Sequence, residues 1–153
     1  MSKEHSLIGA DSKAGKNVYQ PIDHTGDLGM RVFGADLHEL FAHAAWGLFD
    51  LMTDAERIEP RIGRELTVEA IDLEDLMVRW LGELLYAYDT DRFLTANTDF
   101  HSLEPTRLRA TLHGEPFDAA RHPIDTEIKA VTYHQIAVER LDAGWQARVI
   151  FDI

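Results

Sequence analysis

No cysteine occurs anywhere in the 153 residues. That absence removes disulfides, thiolate metal ligands and cysteine nucleophiles together. Serine is scarce too: Ser2, Ser6, Ser12 and Ser102 are the whole supply, and none sits in a nucleophile elbow. Neither a glycine-rich phosphate loop nor a dinucleotide fingerprint occurs, and no nucleophile–base pair stands out. No apolar run approaches the roughly 18 residues a membrane helix needs. Met1 to Lys16 lacks the apolar middle of a secretory signal, so the expected setting is soluble and cytoplasmic. Positive charge is also short, with 15 Lys and Arg against 27 Asp and Glu and a formal charge of −12. Such a surface repels phosphate backbones and disfavours strong direct nucleic-acid binding. It suits a cation site or docking onto a basic partner, and at the least it keeps the chain soluble.

What is present describes an ordinary globular chain, 45% hydrophobic and of a length for one core. Residues 1–17 read as a flexible N-terminal leader, with Gly9, Ser12 and Gly15 but no periodicity, and residues 18–153 as a single domain. Two helices stand out. Leu37, Leu40, Phe41, Ala44, Ala45, Leu48, Phe49 and Met52 follow helical spacing, with Asp36 as N-cap and Glu39 as its capping-box partner. Leu73, Leu76, Met77, Trp80, Leu81, Leu84, Leu85 and Tyr88 repeat the pattern behind an Asp72 cap, and Asp75 favours the positive end of the helix.

Strands are expected at Val18–Asp23, Leu28–Phe33, Glu65–Ala70, Arg92–Leu103, Arg107–Glu115, Glu127–Thr132, His134–Leu141 and Trp145–Asp152. Gly144 permits a tight hairpin between the last two. The expected fold class is α+β, a two-layer sandwich with two amphipathic helices packed on a mixed, largely antiparallel sheet.

Three segments hold chemistry-bearing residues. Asp23-His24-Thr25-Gly26-Asp27 lies between two expected strands; its residue types make an ordinary turn, yet it packs two carboxylates and an imidazole into five positions. Carboxylate and carbonyl oxygens are what hard cations take, although the order is not that of an EF-hand loop. In the last strand Trp145, Ala147, Val149, Phe151 and Ile153 alternate onto the core face, and Gln146, Arg148, Ile150 and Asp152 onto the other. Asp152 therefore projects beside the Ile153 carboxylate, and the pair is either solvated or compensated by a cation. In Glu127–His134, alternation puts Glu127 and Lys129 on one face and Ile128, Ala130 and Thr132 on the other. Lys129 is there either a solvated cross-strand lysine or a point charge able to hold carboxylates or phosphate.

His38-Glu39-Leu40-Phe41-Ala42-His43 imitates a zincin helix, but its histidines are five apart. That is about 140° around a helix, so they do not converge on one zinc and are expected on the surface.

In order, His24-Thr25-Gly26-Asp27, the helix ending Leu51-Met52-Thr53, Trp80-Leu81-Gly82-Glu83-Leu84-Leu85-Tyr86, Glu127-Ile128-Lys129-Ala130-Val131-Thr132-Tyr133-His134 and the terminal Val149-Ile150-Phe151-Asp152-Ile153 resemble the archease family. The resemblance runs from Tyr19 to Ile153. It implies a non-catalytic accessory protein for an RtcB-type RNA ligase of tRNA splicing and RNA repair, one that guanylylates its own histidine. Archeases promote that guanylylation and multiple turnover. The resemblance further implies a divalent-metal site at Asp27, Asp152 and Ile153, with calcium expected and magnesium or manganese as alternatives. Lys129 is functional by the same likeness, and His24 and Thr25 face the partner. The family usually has alanine where this chain has Gly26, and its shortest members lack the long leader.

Two other readings stand beside it. One is a small metal-dependent phosphohydrolase or nucleotide-binding enzyme using the same carboxylates. The other is a chaperone-like or structural module. Exposed strand edges would also allow a homo-oligomer.

Overall fold

The structure, a computed structural model, describes residues 18–24 and 26–153, and the side chain of His24 is not described. The expected leader and Thr25 thus lie outside the described residues. Both helices form where apolar spacing placed them: α1 spans Leu37–Met52 and α2 spans Leu73–Asp91. Each begins on its aspartate. Asp36 accepts the Glu39 N–H at 2.8 Å and Asp72 accepts the Asp75 N–H at 2.8 Å, satisfying amide groups that the first helical turn leaves without partners. Glu39 reaches back to the Ala35 N–H, 2.7 Å away. Helix α2 ends on Arg92 in the left-handed conformation, φ +56, with its N–H bonded to the last-turn carbonyls of Ala87 and Tyr88.

Among the described residues eight strands accompany the helices: β1 Tyr19–His24, β2 Asp27–Gly34, β3 Ile62–Glu69, β4 Phe93–Glu104, β5 Arg107–Pro116, β6 Ala130–Val131, β7 Ala137–Leu141 and β8 Gly144–Asp152. They form two sheets. The first runs β1-β2-β8-β6, with β7 also paired to β8, and the second runs β3-β5-β4. Every pairing is antiparallel, so the mixed sheet allowed by the sequence is absent among the described residues. The two-residue connection Asp142-Ala143 joins β7 to β8, and Gly144 has φ +140.

One apolar core unites these parts. Met30 and Val32 of β2, Leu40, Phe41, Leu48 and Phe49 of α1, Trp80 and Leu81 of α2, and Val149 and Phe151 of β8 are all fully buried. Burying side chains of this size stabilises a fold by about 1.5–3 kcal/mol each before entropy is counted. The Trp80 indole N–H donates to the Phe41 carbonyl at 2.9 Å, fixing one helix against the other without an orphaned donor. At the far end of α1 the Tyr19 hydroxyl donates to buried Asp50 at 2.7 Å, which ties β1 to the helix.

Two expected strands shrink. Glu127–Thr132 retains only Ala130–Val131, and His134–Leu141 begins at Ala137, because Gln135 takes a left-handed φ of +54 between them. Although β6 is so short, burial still alternates as expected from Glu127 to Ala130, with Glu127 and Lys129 exposed, Ile128 buried and Ala130 half-buried. Ala130 faces Asp152 and Val131 faces Phe151, while Ile128, outside the strand, is buried. Ile153 also departs from expectation: β8 ends at Asp152, and Ile153 is 41% exposed rather than on the core face. His43 is not a plain surface histidine, since its Nδ1 lies 2.6 Å from the Phe33 carbonyl and the residue is half-buried. His38 is exposed and packs edge-on against Phe100.

Candidate functional site

The register of three adjacent strand pairs assembles the site. In the β1–β2 hairpin His24 faces Asp27, and Gly26 supplies the positive φ of +76 that so short a connection requires. Between β2 and β8, Leu28 faces Phe151 and Gly29 faces Ile150. One step further out, the same register sets Asp27 against Asp152. Between β8 and β6, Asp152 faces Ala130. A single row, His24–Asp27–Asp152–Ala130, thus crosses four strands at one end of the first sheet. Leu28 and Phe151 turn toward the core, so pleating turns Asp27 and Asp152 away from it together. Asp27 is half-buried and Asp152 exposed.

Lys129 joins this row through the main chain. Its N–H donates to the Asp152 carbonyl at 2.7 Å, and its side chain is exposed beside Ala130. It is also the only lysine beyond Lys16; every other cation from residue 17 on is an arginine. Directly opposed residues of an antiparallel pair have Cβ atoms about 4.5–5.5 Å apart, a distance at which like charges repel. A facing Asp–Asp pair is therefore a cost unless something positive lies against it.

Just inward of the carboxylates, on the same face, Ile150 lies across Gly29. A Cβ at residue 29 would stand 2.6 Å from Ile150 Cδ1 and 2.9 Å from the Val149 carbonyl oxygen. Ile150 is 1% exposed although alternation turns it to the outer face with Asp152. The carboxylates thus stand at the edge of an apolar floor.

Two carboxylates and main-chain oxygen make an all-oxygen set, which matches hard divalent ions that keep part of their water shell. The Asp152 carbonyl accepts the Lys129 N–H and keeps a second lone pair. No group of three or more His, Asp or Glu side chains suited to a metal occurs among the described residues. The two carboxylates are donors of the kind a hard, partly hydrated ion takes.

Two buried acidic centres were not legible in the sequence. Glu115, 2% exposed, accepts both outer nitrogens of Arg121 at 2.9 and 2.7 Å, the Glu59 N–H at 2.8 Å and His122 Nε2 at 2.9 Å. The Asp118 N–H donates to His122 Nδ1, which fixes the neutral Nε2–H tautomer. Asp75, expected only to favour a helix end, is 5% exposed and receives Arg79, Tyr133 and the Ile71 N–H. No local pattern marks a buried acid whose partners include groups 56 and 58 residues away, Glu59 for Glu115 and Tyr133 for Asp75. A cleft of about 340 Å³ lined by Phe33, His43 and Trp145 lies at the other end of the β2–β8 ladder, remote from the carboxylates.

Fold and site together define a two-layer α+β protein with an acidic rim where two β-strand termini meet. The chain matches the archease protein family (MTH1598/TM1083) over residues 19–153 and belongs to that family. It is 38% identical over 138 residues to the protein archease of Methanopyrus kandleri, a match spanning 88% of this chain and 99% of that one. A solution structure of Methanobacterium thermoautotrophicum protein 1598 is 31% identical, with a TM-score of 0.73 and coverage of 89% and 99%. A Thermotoga maritima crystal structure, described as an archease and possible chaperone, is 22% identical with a TM-score of 0.59 over 88% and 96%. The last likeness bears on the fold alone. No helix among the described residues is long and apolar enough to cross a membrane.

Proposed function

We propose that this chain is a non-catalytic activator of an RNA ligase, presenting the Asp27–Asp152 rim and Lys129 to the partner's active site. The row that places Asp27 across from Asp152, with Lys129 hydrogen-bonded to Asp152, carries the reading. Family membership supports it, and so does the formal charge of −12, which complements a basic RNA-handling enzyme. Asp27, Asp152 and an Ile153 oxygen would hold a divalent ion, calcium first and magnesium or manganese next, and such an ion would supply charge neutralisation at phosphate during nucleotidyl transfer. The chain's own part is to hold the two carboxylates in register and keep Lys129 beside them.

The test pairs the purified protein with the self-guanylylating ligase. Catalytic amounts should turn a single-turnover ligase into a multiple-turnover one. Asp27→Ala and Asp152→Ala should abolish that effect while the circular dichroism spectrum and melting transition persist. Full stimulation by both variants would overturn the assignment. Phosphate release from nucleotides by this protein alone, lost in the same variants, would favour a phosphohydrolase.

A further inference from the structure

The connection between β5 and β7 carries Lys129, and a series of bonds pins it down. Asp125 N–H donates to the Met52 carbonyl at 2.8 Å, and Ile128 is buried. Lys129 N–H donates to the Asp152 carbonyl, and Thr132 gives both its N–H and its hydroxyl to the Ile150 carbonyl, at 3.1 and 2.8 Å. Past Thr132 the chain swings through Gln135 into β7. At that exit Tyr133 reaches to helix α2, where its hydroxyl donates to Asp75 Oδ1 at 2.6 Å.

Asp75 is prepared for this contact. Its carboxylate takes the Arg79 Nε–H at 3.0 Å to each oxygen and the Ile71 N–H at 3.0 Å, in a nearly water-free position. The Tyr133 hydrogen bond, foremost, and then Ile71 and Arg79 hold Asp75 below the usual carboxylate range, against the upward push of burial. An O–H···O⁻ contact of this length is charge-assisted and among the stronger hydrogen bonds. The Tyr133 residue is 55% exposed, so the bond at its tip, and not burial of the ring, ties the loop to the helix. Asp72 already caps α2, so the helix does not need the Tyr133 contact to begin.

We propose that Tyr133 and Asp75 form a latch that positions the Lys129 segment against the end of β8. Both are positioning residues that act through the Lys129–Asp152 main-chain bond and touch no partner themselves. The inference adds to the ligase-activation reading a control point at the start of helix α2, and its functional consequence rests on that reading.

Amide hydrogen exchange tests the latch without any partner. In Tyr133→Phe, which removes a single oxygen, the Lys129 and Thr132 amides should exchange about tenfold faster, as loss of a hydrogen bond to a charged group implies. Amides of β2 and central β8 should keep their protection. Asp75→Asn should do the same if Tyr133→Phe proves hard to purify. Unchanged exchange at Lys129 in both variants would overturn the latch, whatever the ligase assay gives.

The ligase assay then separates positioning from general damage. Tyr133→Phe should lower the plateau of stimulation about fivefold or more, with the half-saturating concentration unchanged within about twofold, following from the same lost bond. A merely less stable protein would raise the half-saturating concentration and leave the plateau intact, and that outcome would overturn the positioning role. Failure of the wild-type protein to stimulate the ligase would refute the proposed function and leave the exchange result to decide the latch.

Discussion

Ile150 lies over Gly29 from the facing strand, and the fit leaves no room for even one added carbon. Both residues sit immediately inward of Asp27 and Asp152, on the face those carboxylates share. The carboxylate row therefore rests on a close contact between a branched side chain and a residue that has none.

Gly29→Ala should destabilise the protein by about 1–3 kcal/mol, the usual cost of overpacking a tight site. Adding Ile150→Val should recover only part of this, since the Val149 carbonyl stands 2.9 Å from the new carbon whatever residue 150 is. Urea unfolding of the single and double variants measures both effects. Equal stability of Gly29→Ala and wild type would refute the close approach.

Gly26 has φ +76 with open space around its Cβ position, so only the backbone conformation opposes a side chain there. Gly26→Ala should cost about 1 kcal/mol in melting experiments, the penalty for an L-residue in the left-handed region. Gly26→Asn should cost less, because asparagine tolerates that region. A gain in stability from alanine would show that the turn adopts another form.

Glu115 offers a dependence on pH. The Arg121 guanidinium, then the Glu59 N–H and His122, outweigh burial and draw its carboxyl down from 4.5 to about 2. A depressed folded-state value means the contribution is complete above about 4.5 and is lost as pH falls toward 2. The urea midpoint of the wild type should thus decline across that window. Glu115→Gln should start lower at neutral pH, with Arg121 and Arg61 left beside a neutral partner, and show a shallower decline. Parallel pH profiles for the two proteins would contradict this account.

The facing carboxylates make opposite predictions with and without a cation. In chelator, Asp152→Asn should raise stability by roughly 0.2–1 kcal/mol, because a like-charged cross-strand pair is relieved. With millimolar calcium the wild type should gain melting temperature by mass action and Asp152→Asn should not. A gain of the same size in both proteins would place the cation elsewhere.

Much of the fold could be read along the chain, because its signals are local. Helical spacing and the Asp36 and Asp72 caps located α1 and α2, and alternation located β2, β4, β5 and β8 to within a few residues. Each of those patterns reports which face of one element is buried, and a single sequence contains it. The turn of Asp152 away from Phe151 follows from the same rule. Where local signals conflicted with long-range packing, the packing prevailed: β6 kept two residues, and Ile150 was buried on the polar face.

The sequence by itself determined two amphipathic helices, the strands of an α+β fold, an acidic surface and an Asp152 that leaves the core. Tertiary structure alone decided that the strands divide into two antiparallel sheets, and that Leu28 pairs with Phe151, a register whose next step sets Asp27 against Asp152, 125 positions along the chain. It alone decided that Tyr133 meets Asp75 across 58 residues. The physical reason is that strand register and buried hydrogen-bond partners are selected by the closing of the whole core, with Leu28 against Phe151 and α2 against the β6–β7 connection. No local propensity encodes a partner that far along the chain.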